Sequence, residues 1–375
     1  MKKVMVIIGT RPEVIKLAPV IKELNKHTDK FKLSVCVTAQ HRSMLDQALK
    51  VFNIVPEFDL NLMKKNQSLS DFSSQAMKKL EKIIEKVNPD VILVQGDTST
   101  AMIACLVAYY HKIFIGHIEA GLRTYNKYEP FPEEINRKII SSLADIHFAP
   151  TETAKTALLS EGIATKSIIV TGNTVIDALV DTTKQIERTI PHYPDNLLNE
   201  LQGKRLILVT GHRRENFDKA LKELCAALKV ISANFKDTSI VYPVHLNPNV
   251  RITVYQLLKQ LERVYLMNPL PYPSFVYLLN KSFLILTDSG GIQEEATFLG
   301  KPVLVVRNIT ERQEAVESGN ARLVGTEKEK IIQSVKTLLN DTAKYNTMAK
   351  KRNIFGDGLA AVRIVKALSS YAKEN

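Results

Sequence analysis

The residues best suited to chemistry stand where apolar stretches of this sequence end. In FLILTDSGGIQEEATFLGKP, an apolar stretch runs into Ser289, Gly290 and Gly291 and then into a helical pattern. Backbone N–H groups at the start of a helix, together with the helix dipole, bind phosphate groups. Glu294 and Glu295 follow one turn later, where a carboxylate can bind a ribose diol. The stretch predicts a nucleotide site. The alternative is a glycine turn whose acidic residues stabilise the start of a helix.

Basic side chains follow several other apolar stretches. They are Arg11 and Lys16 in GTRPEVIK, His212 and Arg213 in GHRREN, His245 in VYPVHLNP, and Arg312 in TERQEA. A single arginine in such a turn is usually structural, but several basic clusters in equivalent positions indicate an anion site. Because a departing diphosphate carries negative charge, these residues are candidates to stabilise it.

In the N-terminal half of the sequence, carboxylate side chains lie at or near the ends of the apolar stretches. Asp97 ends VILVQGD, Glu119 lies in GHIEAGLR, and Glu133 lies in EPFPEEINRK. A buried carboxylate at a strand end costs free energy unless it is paired or used, so these residues are candidates for acid/base chemistry. The alternatives are that Asp97 caps the following helix and that Glu119 pairs with Arg123 or Arg137.

Several motifs are missing from the sequence. No DxD pair occurs, which argues against a diphosphate held by a metal ion, and the histidines show no HExxH spacing. The one GxGxx[GA] match, GDGLAA at 356–361, follows no predicted strand. We therefore expect neither a metal nor a nicotinamide cofactor.

The apolar stretches alternate with amphipathic helical patterns, which is typical of parallel sheets covered on both faces. The predicted strands are 4–9, 33–39, 91–97, 113–120, 146–151, 167–173, 206–212, 239–245, 264–269, 283–289, 302–308 and 322–325. We predict an α/β fold of two Rossmann-like domains that face a central cleft, as in glycosyltransferase-B-like proteins. The predicted domains are 1–175 and 176–357, with a C-terminal helix at 358–373 that packs back on the first.

Composition excludes some classes of protein. The 375 residues are 45% hydrophobic and 24% charged, and the net charge of +12 suits an anionic ligand. No stretch approaches the roughly 18 apolar residues of a membrane span, and no nucleic-acid-binding motif is present. The cysteines, which are Cys36, Cys105 and Cys225, have no CxxC spacing. We expect a soluble, unexported, cytoplasmic protein with reduced thiols.

These motifs, together with TAQHRSMLDQ, GDTST and TGNTVIDAL, resemble the non-hydrolysing UDP-N-acetylglucosamine 2-epimerases over nearly the whole chain. The resemblance implies a homodimer of glycosyltransferase-B-like subunits that interconverts UDP-GlcNAc and UDP-ManNAc without a cofactor. Its product would feed bacterial surface polysaccharides. The substrate would be the only other partner, with no nucleic acid and no membrane insertion.

The resemblance also implies roles for individual residues. Ser289, Gly290 and Gly291 would bind the phosphates, Glu295 the ribose, and Phe275 the region of the uracil. Arg11, His212 and Arg312 would surround the diphosphate. The implied catalytic residues are Asp97, Glu119, Glu133 and His212. The remaining candidates for substrate binding are Lys16, Arg137, Arg213 and His245.

The sequence departs from the family at several positions. Gln95, Gln313 and Ile354 replace a histidine and two prolines, and we interpret these changes as structural. Members regulated by a second UDP-GlcNAc carry glutamine and arginine where this chain has Ser43 and Asn66, although Gln40 of that pocket is present. These two replacements argue against activation of this chain by a second UDP-GlcNAc.

Inversion at C2 of GlcNAc needs a particular route, because no carbonyl acidifies that C–H bond. Elimination of UDP to 2-acetamidoglucal, followed by re-addition, requires acid/base groups on both faces of the sugar. Three rivals share the predicted architecture or site: a UDP-sugar glycosyltransferase, a hydrolysing epimerase, and an epimerase of UDP-diacetamido-uronic acid. A non-catalytic sensor of nucleotide sugars would not need three carboxylates.

Overall fold

The computed structural model describes residues 1–39, 42–64, 67–193, 197–211 and 219–371, and for residue 43 it describes the backbone alone. By their internal contacts, these residues divide into two compact units. The first contains Met1–Val180 together with the segment from Phe355 onward, and the second contains Asp181–Ile354.

A seven-stranded parallel sheet forms the centre of the first unit. Its strands are β1 (Lys2–Ile8), β2 (Phe31–Val37), β3 (Phe58–Asp59), β4 (Val91–Gln95), β5 (Phe114–Ile118), β6 (Ile146–Ala149) and β7 (Ile168–Val170). The spatial order is β3-β2-β1-β4-β5-β6-β7, so the direction of strand addition reverses between β1 and β4. At such a reversal, the turns that follow the two strands diverge and leave room for a ligand.

A six-stranded parallel sheet forms the centre of the second unit. Its strands are β8 (Arg205–Thr210), β9 (Thr238–Pro243), β10 (Val264–Met267), β11 (Leu284–Thr287), β12 (Val303–Val305) and β13 (Ala321–Leu323). Their order is β10-β9-β8-β11-β12-β13, with the reversal between β8 and β11. The turn after β11 is the one that contains Ser289.

Helices connect the strands. They are α1 (Arg11–Leu24), α2 (Arg42–Val51), α3 (Leu69–Val87), α4 (Ser99–Tyr110), α5 (Glu133–Leu143), α6 (Glu152–Ser160), α7 (Thr174–Arg188), α8 (Leu197–Glu200), α9 (Lys219–Asn234), α10 (Pro248–Leu258), α11 (Tyr272–Lys281), α12 (Gly290–Leu299), α13 (Gln313–Glu317), α14 (Lys328–Asn340), α15 (Thr342–Met348) and α16 (Ala360–Ser370). None of the helices that the structure describes is long and apolar enough to cross a membrane.

Strand β1 shows why the first sheet is covered on both faces. Successive side chains of a strand point to opposite faces. Val4, Val6 and Ile8 join a core that includes residues of α1 and α16. Met5 and Ile7 join a separate core with residues of α3 and α4. Because both faces of the sheet are buried, the sequence of the strand is continuously apolar rather than alternating between apolar and polar residues.

The C-terminal helix α16 is fixed to the first unit by a buried carboxylate. Asp177 on α7 accepts hydrogen bonds from the backbone N–H groups of Ala360 (3.2 Å) and Ala361 (2.8 Å) at the start of α16. Apolar residues of α16, including Ile364 and Leu368, pack in the same core as α1.

The predicted fold class is confirmed, because two parallel sheets carry helices on both faces. Every predicted strand is present, with ends that differ by a few residues. The sequence analysis missed β3, a two-residue strand at Phe58–Asp59 that pairs with the end of β2. Its two residues are too few to give an apolar run.

Candidate active site

Asp97 follows β4 and lies in an ion pair. Its Oδ2 atom is 2.5 Å from Nη2 of Arg137 on α5, whose Nη1 atom lies 3.0 Å from the carboxylate of Glu134. Arg137 is buried, whereas the Asp97 side chain keeps about a quarter of its surface exposed (23%). The predicted residues Asp97 and Arg137 are thus in direct contact, and the carboxylate remains reachable by a ligand.

The backbone of the Asp97 turn is held by buried side chains from neighbouring elements. His117 on β5 bonds through Nε2 to the Gly96 carbonyl oxygen at 2.7 Å. Burial lowers the pKa of His117 to about 3, so the ring is neutral at pH 7. Asn136 on α5 donates to the carbonyl oxygen of Asp97 at 2.8 Å. The turn is therefore fixed in place by groups that need not themselves touch a ligand.

Glu119 follows β5, the strand next to β4, and is buried. Its Oε2 atom lies 2.5 Å from Nζ of Lys16 and accepts a hydrogen bond of 2.5 Å from the Asn173 side-chain amide. A Cβ atom built on Gly96 would lie 3.7 Å from Glu119 Oε1, so this carboxylate stands close to the Asp97 turn. The structure brings the predicted residues Lys16 and Glu119 together at the same sheet edge.

The backbone of Glu119 has φ = +66°, in the left-handed region. A residue with a Cβ atom pays of order 1 kcal/mol or more for this conformation, and such residues concentrate at functional sites. The conformation persists because the carboxylate is held by Lys16 and Asn173.

Glu133 and Glu134 begin α5, where acidic side chains interact favourably with the helix dipole. Glu134 is fully buried and accepts hydrogen bonds from the backbone N–H groups of Thr124 (3.1 Å) and Tyr125 (2.9 Å). Glu133 is only partly buried. Of these two carboxylates, Glu134 orders the preceding loop, and Glu133 remains the candidate for acid/base work. Arg11, also partly buried, is the first residue of α1.

Two structural alternatives from the sequence are not realised. The cap of α4 is Thr98, whose hydroxyl oxygen accepts from the N–H group of Ala101, so Asp97 is not the cap. Arg123 pairs with Glu161 through two hydrogen bonds of 2.8 and 2.7 Å. Among the described residues, Glu119 forms an ion pair with Lys16, whereas Arg137 pairs with Asp97 and Glu134.

In the second unit, Ser289 is the N-cap residue of α12, and Gly290 and Gly291 are its first two residues. The Ser289 hydroxyl makes no capping bond. A Cβ atom on Gly290 would lie 2.8–2.9 Å from the Arg312 guanidinium and Glu311 Oε1, whereas one on Gly291 would meet nothing within 4 Å. Gly290 is therefore needed for close packing of Arg312 against the start of α12.

Arg312 lies in a buried network of charges. Its Nε donates to Glu294 (2.7 Å) and its Nη1 to Glu311 (2.9 Å), and Glu311 also accepts from Arg307 (2.8 Å). Glu294 thus serves to hold Arg312 beside the helix N-terminus. Removing any one member would take a compensating charge away from a buried neighbour.

The remaining carboxylate of this helix, Glu295, is also buried and accepts a hydrogen bond of 2.6 Å from the Tyr272 hydroxyl. Tyr272 begins α11, the helix that carries the partly buried Phe275. Through this bond, Glu295 and the start of α11 are joined.

His245 follows β9 and is partly buried. Its Nδ1 atom accepts a hydrogen bond of 3.1 Å from the N–H group of Asn247. In the neutral ring the proton is then on Nε2, which makes this atom a hydrogen-bond donor. The side chain is suited to a phosphate or hydroxyl oxygen.

Several predicted residues lie outside the described part of the chain. These are the predicted catalytic His212, the substrate-binding Arg213, and Gln40 and Asn66 of the regulatory pocket; for Ser43 of that pocket, only the backbone is described. Within the described residues, no group of three or more His, Cys, Asp or Glu side chains is arranged to hold a metal ion.

Sequence reasoning missed Glu13, Asn136, Asn173 and Tyr272. Glu13 had a recognisable signal, since Thr10-Arg-Pro-Glu13 has the T-x-x-E spacing of a capping box at the start of a helix. Asn173 lies in the motif TGNTVIDAL, but nothing in that motif specifies Glu119 as its partner. Such contacts join residues that are far apart along the chain.

Comparisons with known proteins identify the family of this chain. A family model described as UDP-N-acetylglucosamine 2-epimerase matches residues 22–369. The UDP-N-acetylglucosamine 2-epimerase of Escherichia coli strain K12 is 49% identical over 376 residues, which cover 98% of this chain and 98% of that protein.

Two solved structures are similar over almost their full lengths. The UDP-GlcNAc 2-epimerase from Neisseria meningitidis, bound to UDP-GlcNAc, is 46% identical with a TM-score of 0.93, covering 98% of this chain and 100% of that chain. The S. aureus MnaA–UDP co-structure is 45% identical with a TM-score of 0.93, covering 99% of this chain and 97% of that chain. The predicted resemblance is confirmed: the chain belongs to the UDP-N-acetylglucosamine 2-epimerase family, a family of isomerases.

Proposed function

We propose that this protein interconverts UDP-N-acetylglucosamine and UDP-N-acetylmannosamine by inverting C2 of the sugar. The observation that carries the proposal is the pair of carboxylates at the ends of adjacent strands, each beside its own buried cation. Asp97 lies 2.5 Å from Arg137, and Glu119 lies 2.5 Å from Lys16. Membership of the epimerase family supports the choice of sugar nucleotide.

The second unit is proposed to bind UDP. Ser289, Gly290 and Gly291 would place backbone N–H groups at the phosphates, and Arg312 beside them would add positive charge. The Nε2 donor of His245 suits a further oxygen of the diphosphate or the sugar. Glu295 is assigned to the ribose, and Phe275 to the region of the uracil. His212 and Arg213 are also assigned to this group of basic residues.

The first unit is proposed to carry out the proton transfers, with Asp97, Glu119 and Glu133 as its acid/base groups. An ionised carboxylate is held in place when a buried cation lies beside it, as for Asp97 and Glu119. Such a cation also stabilises the charge that returns when the carboxylate releases a proton. Arg11 is assigned to the departing diphosphate.

The proposed reaction proceeds by elimination and re-addition. One carboxylate takes the C2 proton, the C–H electron pair forms the C1=C2 double bond, and the C1–O electron pair leaves with UDP. The products of this step are 2-acetamidoglucal and UDP, both retained by the enzyme. A UDP oxygen then bonds to C1 while a second acid delivers a proton to the opposite face of C2. No oxidant is required.

Assembly and location form part of the proposal. We propose a homodimer, supported by the exposure of Tyr109 and Tyr110 on α4 and of Ile135 and Ile139 on α5, two helices that pack together. The three cysteines are free and buried, which suits a reducing cytoplasm. There the product would supply ManNAc for surface polysaccharide.

The test is to incubate the purified protein with UDP-GlcNAc alone and to follow products by NMR. The proposal predicts UDP-ManNAc, with free UDP as a minor species. Stoichiometric UDP and free ManNAc would instead indicate a hydrolysing epimerase. Unchanged UDP-GlcNAc would contradict the proposal and favour a related UDP-sugar as substrate.

A further inference from the structure

We propose that Glu13 is a positioning residue for this reaction, because its buried carboxylate joins the turn that carries Arg11 to the turn that carries Asp97. The inference rests on the proposed function, in which Asp97 acts on the sugar and Arg11 on the diphosphate. Glu13 itself touches neither group of the substrate in this proposal.

The geometry of Glu13 spans two strand ends. It is the third residue of α1 and is 1% exposed. Its Oε2 atom accepts hydrogen bonds from the N–H group of Gly9 (3.1 Å) and the hydroxyl of Thr10 (2.7 Å). Its Oε1 atom accepts from the hydroxyl of Thr98 (2.9 Å), a residue 85 positions away.

The bond to Thr98 completes the support of the Asp97 turn. His117 holds the carbonyl group of Gly96, Asn136 holds that of Asp97, and Glu13 holds the Thr98 side chain. Of these three side chains, Glu13 alone belongs to α1, the helix that begins with Arg11 and carries Lys16. It therefore ties together the two turns at the point where strand order reverses between β1 and β4.

A purely structural role accounts for only part of this arrangement. The bonds to Gly9 and Thr10 support the start of α1, as a capping residue does. The bond to Thr98 adds nothing to α1, and α4 is already capped by the Thr98 oxygen. Since all the donors to Glu13 are neutral, burying this carboxylate is costly, and burial raises its pKa to about 7. Because burying this carboxylate costs free energy, we expect Glu13 to have a function at the site.

The first experiment compares Glu13→Ala and Glu13→Gln with the wild type in the epimerase assay. A misplacement of about 1 Å costs on the order of 10²-fold in rate. We therefore expect Glu13→Ala to lower kcat by about 10- to 100-fold. KM and the Kd for UDP should change less than kcat, because Arg11 is the one diphosphate contact proposed on this turn and the other proposed UDP contacts lie in the second unit. Glu13→Gln should restore kcat to within about threefold, because its amide oxygen can accept from Gly9 and Thr10 while its NH₂ group donates to the Thr98 oxygen.

The second experiment removes the same link from its other end. Thr98→Ala deletes the hydroxyl that donates to Glu13, but it also removes the cap of α4. Ser68→Ala is the control, since Ser68 caps α3 through an equivalent bond to Asp71 and has no hydrogen bond to Glu13. We expect Thr98→Ala to lower kcat at least tenfold and Ser68→Ala to leave kcat within twofold. Comparison of Thr98→Ala with its control tests the positioning role of Glu13 even if Glu13→Ala fails to fold.

The outcomes separate the inference from the function on which it rests. A folded wild type without epimerase activity contradicts the proposed function, and the inference falls with it. An active wild type whose Glu13→Ala and Thr98→Ala variants both keep kcat within threefold overturns the inference alone. Equal losses in Thr98→Ala and Ser68→Ala would also overturn it, because loss of a helix cap would then explain the effect.

Discussion

Lys16 and Glu119 stand 103 residues apart in the chain, yet their charged atoms lie 2.5 Å apart in the interior of the first unit. Lys16 is 8% exposed and Glu119 is 7% exposed. The pair fixes α1 against the end of β5 and holds Glu119 in its left-handed backbone conformation.

Breaking this pair should be costly. Removal of one partner from a buried ion pair typically destabilises a protein by about 3–5 kcal/mol, because the other charge remains buried. We expect Lys16→Met to lower the free energy of unfolding in urea by about 3 kcal/mol. Lys16→Met combined with Glu119→Gln should recover part of this loss.

The control for this prediction is an exposed ion pair. Lys330 and Glu327 lie 3.0 Å apart with more than half of each side chain exposed. Lys330→Met should change the free energy of unfolding by less than about 1 kcal/mol. A similar loss in Lys16→Met and Lys330→Met would contradict the role assigned to the buried pair.

The acid/base roles are tested by isosteric amides. Asp97→Asn and Glu119→Gln should each lower kcat by about 10²–10⁴-fold, because an amide cannot exchange the C2 proton. UDP-GlcNAc should still bind, as measured by calorimetry. Glu161→Gln is the control, since Glu161 pairs with Arg123 and has no assigned role in catalysis. Near-normal turnover in either site variant would remove that residue from the acid/base role.

Glu13 should give the protein a characteristic dependence of stability on pH. Burial raises its pKa from 4.5 to about 7 in the folded state. A raised carboxyl pKa means that the folded protein binds the extra proton, so this contribution to stability is complete below about pH 4.5 and is lost as pH rises through 7. The loss amounts to about 3 kcal/mol.

Denaturation of wild type and Glu13→Gln at pH values from 4.5 to 8 measures this effect. Across that range, the free energy of unfolding of the wild type should fall by about 3 kcal/mol relative to that of Glu13→Gln. Asp177, whose pKa burial raises to about 6, provides a comparison. Asp177→Asn should remove a pH-dependent contribution to the free energy of unfolding that is lost at lower pH, between about pH 4 and 6. If the difference in free energy of unfolding between wild type and Glu13→Gln stays constant with pH, Glu13 does not titrate in this range.

The two glycines at the start of α12 should respond differently to alanine. Gly290→Ala would force Arg312 away from the helix N-terminus, and we expect UDP affinity to fall at least tenfold by calorimetry. Gly291→Ala meets open space, so the free energy of unfolding should stay unchanged or rise by up to about 1 kcal/mol. Unaltered UDP affinity in Gly290→Ala would contradict the assignment of Arg312 to the diphosphate.

The sequence predicted the fold well because each strand of a covered parallel sheet is a local apolar run, as in β1 and β11. The strand ends were also predictable, so candidates such as Asp97 and Ser289 could be named. The partners of such residues could not be predicted, because the pairs Lys16–Glu119 and Glu13–Thr98 depend on which strands become neighbours in the sheet. Local pattern reading also left Arg123 and Arg137 as equal candidates to pair with Glu119, although Arg123 bonds to Glu161.

The most direct test of the proposed chemistry is the fate of the hydrogen at C2 when the wild-type protein turns over UDP-GlcNAc in heavy water. If UDP leaves and returns while carboxylates of the first unit exchange the proton with solvent, UDP-ManNAc must carry deuterium at C2. The UDP-GlcNAc recovered at equilibrium must carry it as well. Formation of UDP-ManNAc that keeps its original C2 hydrogen would contradict the account.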